Sequence, residues 1–208
     1  MSPALQVVAD LFGNKQLAGL ELAPDILSPV EEATLIDCID RTGLSPFKFQ
    51  GWLGKRLTTS YGSGYDFDTG KLAVAQPIPD WLGGLRQKAA RFAGLEPADL
   101  SQVLLIRYDP GAAIGWQRDR PFYEHVIGVS LGAATTMRSR RRLPRGFERV
   151  GVSLARRSIY HLSDDARHGW EHSIAEMTDT RWSVTFRTLS TSGLGALKRA
   201  SIEGAARP

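Results

Sequence analysis

Between Leu104 and Leu131 the sequence reads LLIRYDPGAAIGWQRDRPFYEHVIGVSL, short apolar runs cut by turn residues. The first run ends in Asp109-Pro110-Gly111, as a strand does on entering a tight turn. A second short strand is expected at Ile114–Trp116, then the polar cluster Gln117-Arg118-Asp119-Arg120, halted by Pro121. A third strand returns over Val126–Leu131. A polar knot between short apolar strands belongs at the mouth of an all-β scaffold, where loops can present side chains without burying their own backbone.

Two later stretches complete the pattern. From Trp182 to Leu189 the apolar residues Trp182, Val184 and Phe186 alternate with Ser183, Thr185 and Arg187, the signature of a strand with one face on a core. Arg181 and Arg187 lie six apart, so on a strand they share a face. The stretch Trp170–Ile174 contributes His172. Asp119 offers a hard carboxylate and His172 an imidazole. Non-haem iron oxygenases hold Fe(II) with two histidines and one carboxylate, leaving positions open for co-substrate and oxygen. A dicarboxylic acid such as 2-oxoglutarate then calls for guanidinium groups, which bond carboxylates in a charge-assisted, often bidentate way. The carboxylate, one histidine and the arginine pair occur here in the right order.

On these motifs the chain resembles the AlkB-like family of Fe(II)/2-oxoglutarate dioxygenases over roughly Arg56 to Leu189. RYDPG followed by GWQRD is similar to the family's tyrosine, turn and His-x-Asp segment. WEHSI is similar to its distal histidine segment, and RWSVTFR to its Arg-x5-Arg strand. The resemblance implies that Asp119 and His172 ligate iron and act in catalysis, and that Tyr108, Arg181 and Arg187 hold 2-oxoglutarate as co-substrate. It also implies oxidative removal of alkyl groups from the bases of DNA or RNA, under a cover formed by the aromatic and glycine-rich span 47–79. Arg56, Tyr61 and Tyr65 form the substrate-side set expected there, since an extracted base is gripped by aromatic faces.

The departures are specific. Where the family has its first ligand histidine, two before the aspartate, this chain has Gln117. Ile106 and Ser183 stand where many or some members carry asparagine. The Gln117 amide offers a neutral oxygen and a nitrogen without a useful lone pair, so a good Fe(II) donor is missing. The alternative is therefore a relative with catalysis impaired or lost, acting as a nucleic-acid or dicarboxylate binding module, or an enzyme deliberately inactivated by a His-to-Gln change at position 117. Of the other histidines, His125 or His168 is a minor candidate to supply the missing donor, although on an extended strand His168 would lie about 13 Å from His172.

The rest of the chain supplies scaffold. Ser28-Pro29-Val30-Glu31 has the form of a helix start with a capping box, and Gly43 marks the end of that helix. A second helix is expected from Pro79-Asp80, with Trp81, Leu82, Leu85, Ala89 and Phe92 on one stripe and Gly94 at its end. Two clusters of strands with these helices give a mostly β, α+β fold. The expectation is a double-stranded β-helix (jelly roll) with N-terminal helices packed on one sheet. One domain is expected over 1–208, with a lead-in at 1–27, a jelly-roll core at 80–189 and a flexible tail at 190–208. Tyr160 and Trp170 are assigned to the core.

A single cysteine, Cys38, fits a reducing compartment. No signal peptide or run of about 20 apolar residues is present, so a cytoplasmic, membrane-free monomer is expected. Met137 to Arg149 holds six arginines against one glutamate, an excess larger than the chain's whole formal charge of +4. Such a strip either contacts phosphates or is a solvated hairpin face.

Overall fold

The computed structural model describes residues 17–49, 52–65 and 72–205. In chain order the elements are β1 (Leu20–Ala23), α1 (Pro29–Asp40), β2 (Ser45–Phe49), β3 (Trp52–Tyr65) and β4 (Leu72–Val74), followed by α2 (Gly83–Ala93), β5 (Gln102–Tyr108) and β6 (Ile114–Gln117). Then come β7 (Tyr123–Gly132), β8 (Thr135–Arg142), β9 (Phe147–Leu154), β10 (Ile159–Leu162), α3 (Asp164–His168), β11 (Glu171–Ile174), β12 (Arg181–Leu189) and α4 (Thr191–Ala205).

The helices begin and end where the sequence has the chemistry for it. Ser28 accepts from the Glu31 N–H while Glu31 reaches back to the Ser28 N–H, closing the capping box ahead of α1. That helix stops at Asp40, before Gly43. A short 3-10 turn over Asp80–Leu82 leads into α2, and Gly94 closes it in the left-handed region at φ 66°, which glycine adopts without a Cβ clash. Residues 191–205 differ from the frayed tail expected of them. They form α4, whose start is tied down by the Ser190 hydroxyl, which accepts from the Gly193 N–H at 3.2 Å.

Two antiparallel sheets face each other. The larger runs β1-β10-β7-β12-β5-β3-β2, with β4 on β3, and the smaller runs β6-β11-β8-β9. The outer face of the larger sheet carries Val103, Leu105, Ile127, Val129, Val184 and Phe186. They bury against Ile39 of α1 and against Leu85 and Ala89 of α2. The expected jelly roll with helices on one sheet is therefore present. Between the sheets, one apolar cluster around Val126, Met137, Leu154 and Leu162 fills one end, and another around Ile106, Ala112, Ile114 and Ile174 fills the other. Strand alternation leaves polar side chains on the inner face between them.

A buried carboxylate fastens α1 to this framework. Glu32 is fully buried, accepts from the Gly132 N–H at 2.8 Å and pairs with Arg156 at 2.6 Å. Among the described residues, no helix is long and apolar enough to cross a membrane.

Candidate active site

The site grows out of one strand pairing. β5 and β12 run antiparallel with Tyr108 opposite Arg181 and Gln102 opposite Arg187, so both arginines face inward with their partners beside them. On β7 the residues opposite Arg181, Ser183 and Thr185 are Gly132, Ser130 and Gly128, all small. A cavity of about 880 Å³ opens at the Arg187 end of this pairing, lined among others by Phe47, Arg56, Gln102, Gln117, Asp119 and Arg187.

At one end of β12, Arg187 donates through Nε to Asp119 Oδ1 and through Nη1 to Gln102 Oε1, each at 2.8 Å. The Nε bond commits one oxygen of Asp119 and holds its loop against the sheet, while the Nη1 bond to Gln102 fixes the guanidinium. His172 arrives from β11, directly opposite Gln117 on β6 and opposite Ser139 on β8. Its Nε2 stands 3.9 Å from Asp119 Oδ2, beyond hydrogen-bond range. Gln117, Asp119 and His172 are thus brought together from a strand, the loop that follows it and a neighbouring strand.

At the other end, Arg181 is 1% exposed, with its guanidinium carbon 5.1 Å from the centre of the Tyr108 ring. Its Nε and Nη1 are buried and have no hydrogen-bond partner among the described residues. A buried guanidinium with unused donors could hold an anion, because desolvation of the charge has been incurred without a counter-charge.

The charges in the site shift one another strongly. Burial alone would raise the pKa of Asp119, but Arg187, His172 and Arg167 bring it down to about 2. Burial pushes His172 below its ordinary value, Asp119 works against that, and Arg187, Arg167 and Arg56 reinforce it. The imidazole is therefore neutral at pH 7, with a free lone pair. Burial opposes the charge of Arg187, yet the Asp119 carboxylate and the Tyr123 phenol hold its pKa above the ordinary value.

Of the substrate-side set, Arg56 lines the cavity with its guanidinium 3.9 Å from the Phe47 ring centre. Tyr61 does not face the cavity. It lies opposite Val103 and packs against the helix-side core, because it is out of phase with the inward Thr58 and Ser60. The side chain of Tyr65, at the end of β3, lies outside the described residues. Neither candidate replacement histidine reaches the site. His125 Nδ1 contacts His161 Nε2 at 2.9 Å and His168 Nε2 contacts Glu124 at 3.0 Å.

Four inward residues escaped the sequence reading. Gln102 is the cross-strand partner of Arg187, and its even spacing from Tyr108 was a usable signal. Tyr123 lies under Arg187, with its ring centre 5.4 Å from the guanidinium carbon. Arg167 is buried and donates to the carbonyls of Arg120 and Tyr123 at 2.6 Å each, pinning the loop that carries Asp119. Tyr160, assigned to the core, lies across Gly128, where an added Cβ would meet its Cζ at 2.1 Å. Burial pushes its phenol up to about 12, and Arg181, Tyr108, Asp119 and Arg187 all act on it.

Comparison with known proteins gives a consistent result. A family model described as the 2OG-Fe(II) oxygenase superfamily matches residues 19–192. The tRNA (carboxymethyluridine(34)-5-O)-methyltransferase alkbh8 of Xenopus tropicalis is 29% identical across 81% of this chain and 27% of its own length. The alpha-ketoglutarate-dependent dioxygenase alkB homolog 4 of Mus musculus is 26% identical across 83% of this chain and 68% of its own. The chain thus spans about a quarter of the frog protein, at 27%. It spans about half of the mimivirus protein L905, at 48%, to which it is 33% identical. In fold, a solved structure titled "The structure of OsALKBH1" superposes with a TM-score of 0.60 at 15% identity, covering 82% of this chain and 96% of that one.

Proposed function

The chain belongs to the 2OG-Fe(II) oxygenase superfamily and is AlkB-like within it, and from that premise we propose that it is an Fe(II)/2-oxoglutarate dioxygenase that removes alkyl groups oxidatively from nucleic-acid bases. The observation that carries this reading is β12. One of its inward arginines anchors the Asp119 carboxylate facing His172, and the other waits, buried and without an anion.

The residues suit the dicarboxylate; for the ion, among the described residues, they offer the pair Asp119 and His172 and no third histidine, cysteine or carboxylate. Arg181, backed by Tyr108, would take the far carboxylate, and the Arg187 end would face the near one. Asp119 and His172 would hold Fe(II), with the Gln117 amide oxygen as a weaker third donor. When bound, the iron supplies oxygen activation. The protein's own share is to keep His172 neutral, to hold Asp119 ionised through Arg187, and to shield the reacting group from bulk water inside the cavity.

The nucleic-acid part of the reading rests on the arginines of β8 and β9. Arg138 and Arg140 lie 5.5 and 4.4 Å from the Trp116 ring centre, and Trp116 lines the cavity. Arg140 pairs with Glu171, and Arg141 with Glu148 and Asp165. Among the described residues Arg142, Arg145 and Arg149 have no carboxylate partner, so this strip keeps charge for phosphates. The frog relative is named for a tRNA, which makes RNA as eligible a substrate as DNA. The decisive experiment is anaerobic binding of 2-oxoglutarate with Mn(II), followed by succinate release on methylated single-stranded DNA or RNA. Binding with nucleic-acid-stimulated turnover supports the reading; no binding refutes it.

One observation favours a second reading. Among the described residues no third histidine, cysteine or carboxylate joins Asp119 and His172. A relative that has lost turnover but still binds dicarboxylate and nucleic acid would show the same binding, with no succinate released above a no-protein control.

A further inference from the structure

The charge of the cavity bears on what can enter it. Its lining carries Arg56, Arg118, Arg120 and Arg187 against one carboxylate among the described residues, Asp119, which Arg187 already bonds at 2.8 Å. Arg56 reaches this space from β3, on the same inward row as Thr58 and Ser60. It is half-buried, and its Nε is enclosed with no hydrogen-bond partner among the described residues. Its field extends to the imidazole end of the site, where it helps to push His172 below its ordinary value. A positive charge so placed, partly withdrawn from water, is screened less than one on the surface.

The aromatic rings of the lining point the same way. A cationic guest gains most from the open face of an aromatic ring. Phe47, Trp116 and Tyr123 are the aromatic residues of the lining among the described residues, and each already has a guanidinium over it. Arg56 lies 3.9 Å from the Phe47 ring centre, Arg140 lies 4.4 Å from that of Trp116, and Arg187 lies 5.4 Å from that of Tyr123. The attraction these rings have for positive charge is therefore taken up within the protein. What they leave to a guest is the flat guanidinium of Arg56, on which an uncharged heteroaromatic ring can stack.

We propose that the cavity selects alkylated bases that carry no positive charge, and that Arg56, held on Phe47 in the lining, sets this preference. The inference rests on the nucleic-acid reading above and names a substrate class within it. Two isomers of methylated adenine separate the cases. A methyl group on ring nitrogen N1 leaves the base a cation at neutral pH, whereas a methyl group on the exocyclic N6 leaves it neutral. The cation would meet Arg56 as a like charge, a juxtaposition that strongly disfavours a partner. The neutral isomer has the same atoms and meets no such repulsion.

The test is competition binding by fluorescence anisotropy at pH 7, without added metal, so that no turnover enters the readout. The competitors are single-stranded oligonucleotides identical except for 1-methyladenine or N6-methyladenine at one position. Wild-type protein should bind the N6-methyladenine strand at least about tenfold more tightly than its isomer. Arg56→Met keeps the length of the side chain and its contact with Phe47 but removes the charge, and should bring that ratio below about threefold. Arg56→Lys keeps the charge and should keep the ratio close to that of wild type. Equal binding of the two strands by wild-type protein overturns the inference and leaves the nucleic-acid reading standing. A wild-type ratio that persists in Arg56→Met overturns the role of Arg56. If neither strand binds, the nucleic-acid reading falls and the inference with it.

Discussion

Replacing Arg181 by methionine should stabilise the ligand-free protein and at the same time cripple dicarboxylate binding. The guanidinium is 1% exposed, and its Nε and Nη1 lack partners among the described residues. A buried charge without a counter-charge costs several kcal/mol even after relaxation. The face of Tyr108, 5.1 Å away, returns part of that, about 2 kcal/mol for a desolvated cation–π contact. Methionine has similar length, packs against Tyr108 and carries no charge, so a net gain of about 2 kcal/mol is expected. For a chain of 208 residues that is a rise in Tm of about 4–8 °C. The same change removes a charge-assisted contact to the ligand, worth about 3 kcal/mol or roughly 100-fold in affinity. The assay is thermal unfolding with and without 2-oxoglutarate and Mn(II), beside calorimetric titration. A variant less stable than wild type without ligand, or one that binds 2-oxoglutarate equally well, would refute the argument that Arg181 is an unsatisfied anion receptor.

Three further outcomes follow from the geometry. Asp119 has its pKa lowered from an ordinary 3.8 to about 2 in the folded state. Its contribution of about 2 kcal/mol is then fully present above the unfolded value and is lost as pH falls from about 4 toward 2; urea denaturation across that window should show the slope, and Asp119→Asn should flatten it. Glu32→Gln keeps an amide oxygen for the Gly132 N–H but loses the buried ion pair with Arg156, with an expected loss of about 2–3 kcal/mol by chemical denaturation; unchanged stability would show that the charge of Glu32 does not help to hold α1. Gly128→Ala places a methyl 2.1 Å from Tyr160 Cζ and should cost about 1–3 kcal/mol, part of it recovered in the double variant with Tyr160→Leu.

Much of this protein could be read before any coordinates, and the reason is periodicity and local chemistry. The capping box at Ser28 and Glu31, the left-handed Gly94 and the alternation of β12 depend on neighbours in sequence, so one strand of text holds them. Arg181 and Arg187 share a face for the same reason. The resemblance of the three motifs to AlkB-like proteins was legible too, and the family comparison agrees with it. Tyr61 was misplaced because residue type alone does not set phase. Its register on β5 turns it to the helix side, while Thr58 and Ser60 face in. The 191–205 part of the expected tail is helical because it is anchored by a hydroxyl and a close approach of Gly193 to the Phe122 carbonyl, contacts invisible in composition.

What the sequence determined by itself is the strand pattern, the inward arginine pair, the presence of Asp119 and His172, and the missing imidazole at Gln117. What only the tertiary structure decided is which groups meet. Gln102 bonds Arg187, Arg167 pins the Asp119 loop, Tyr160 lies across Gly128 among the charges, and His125 and His168 are turned away from the site. The physical reason is that alternation along a strand fixes the face a side chain takes. Pairing register between strands far apart in the chain fixes its neighbours, and that register is settled only when the two sheets close on their shared core.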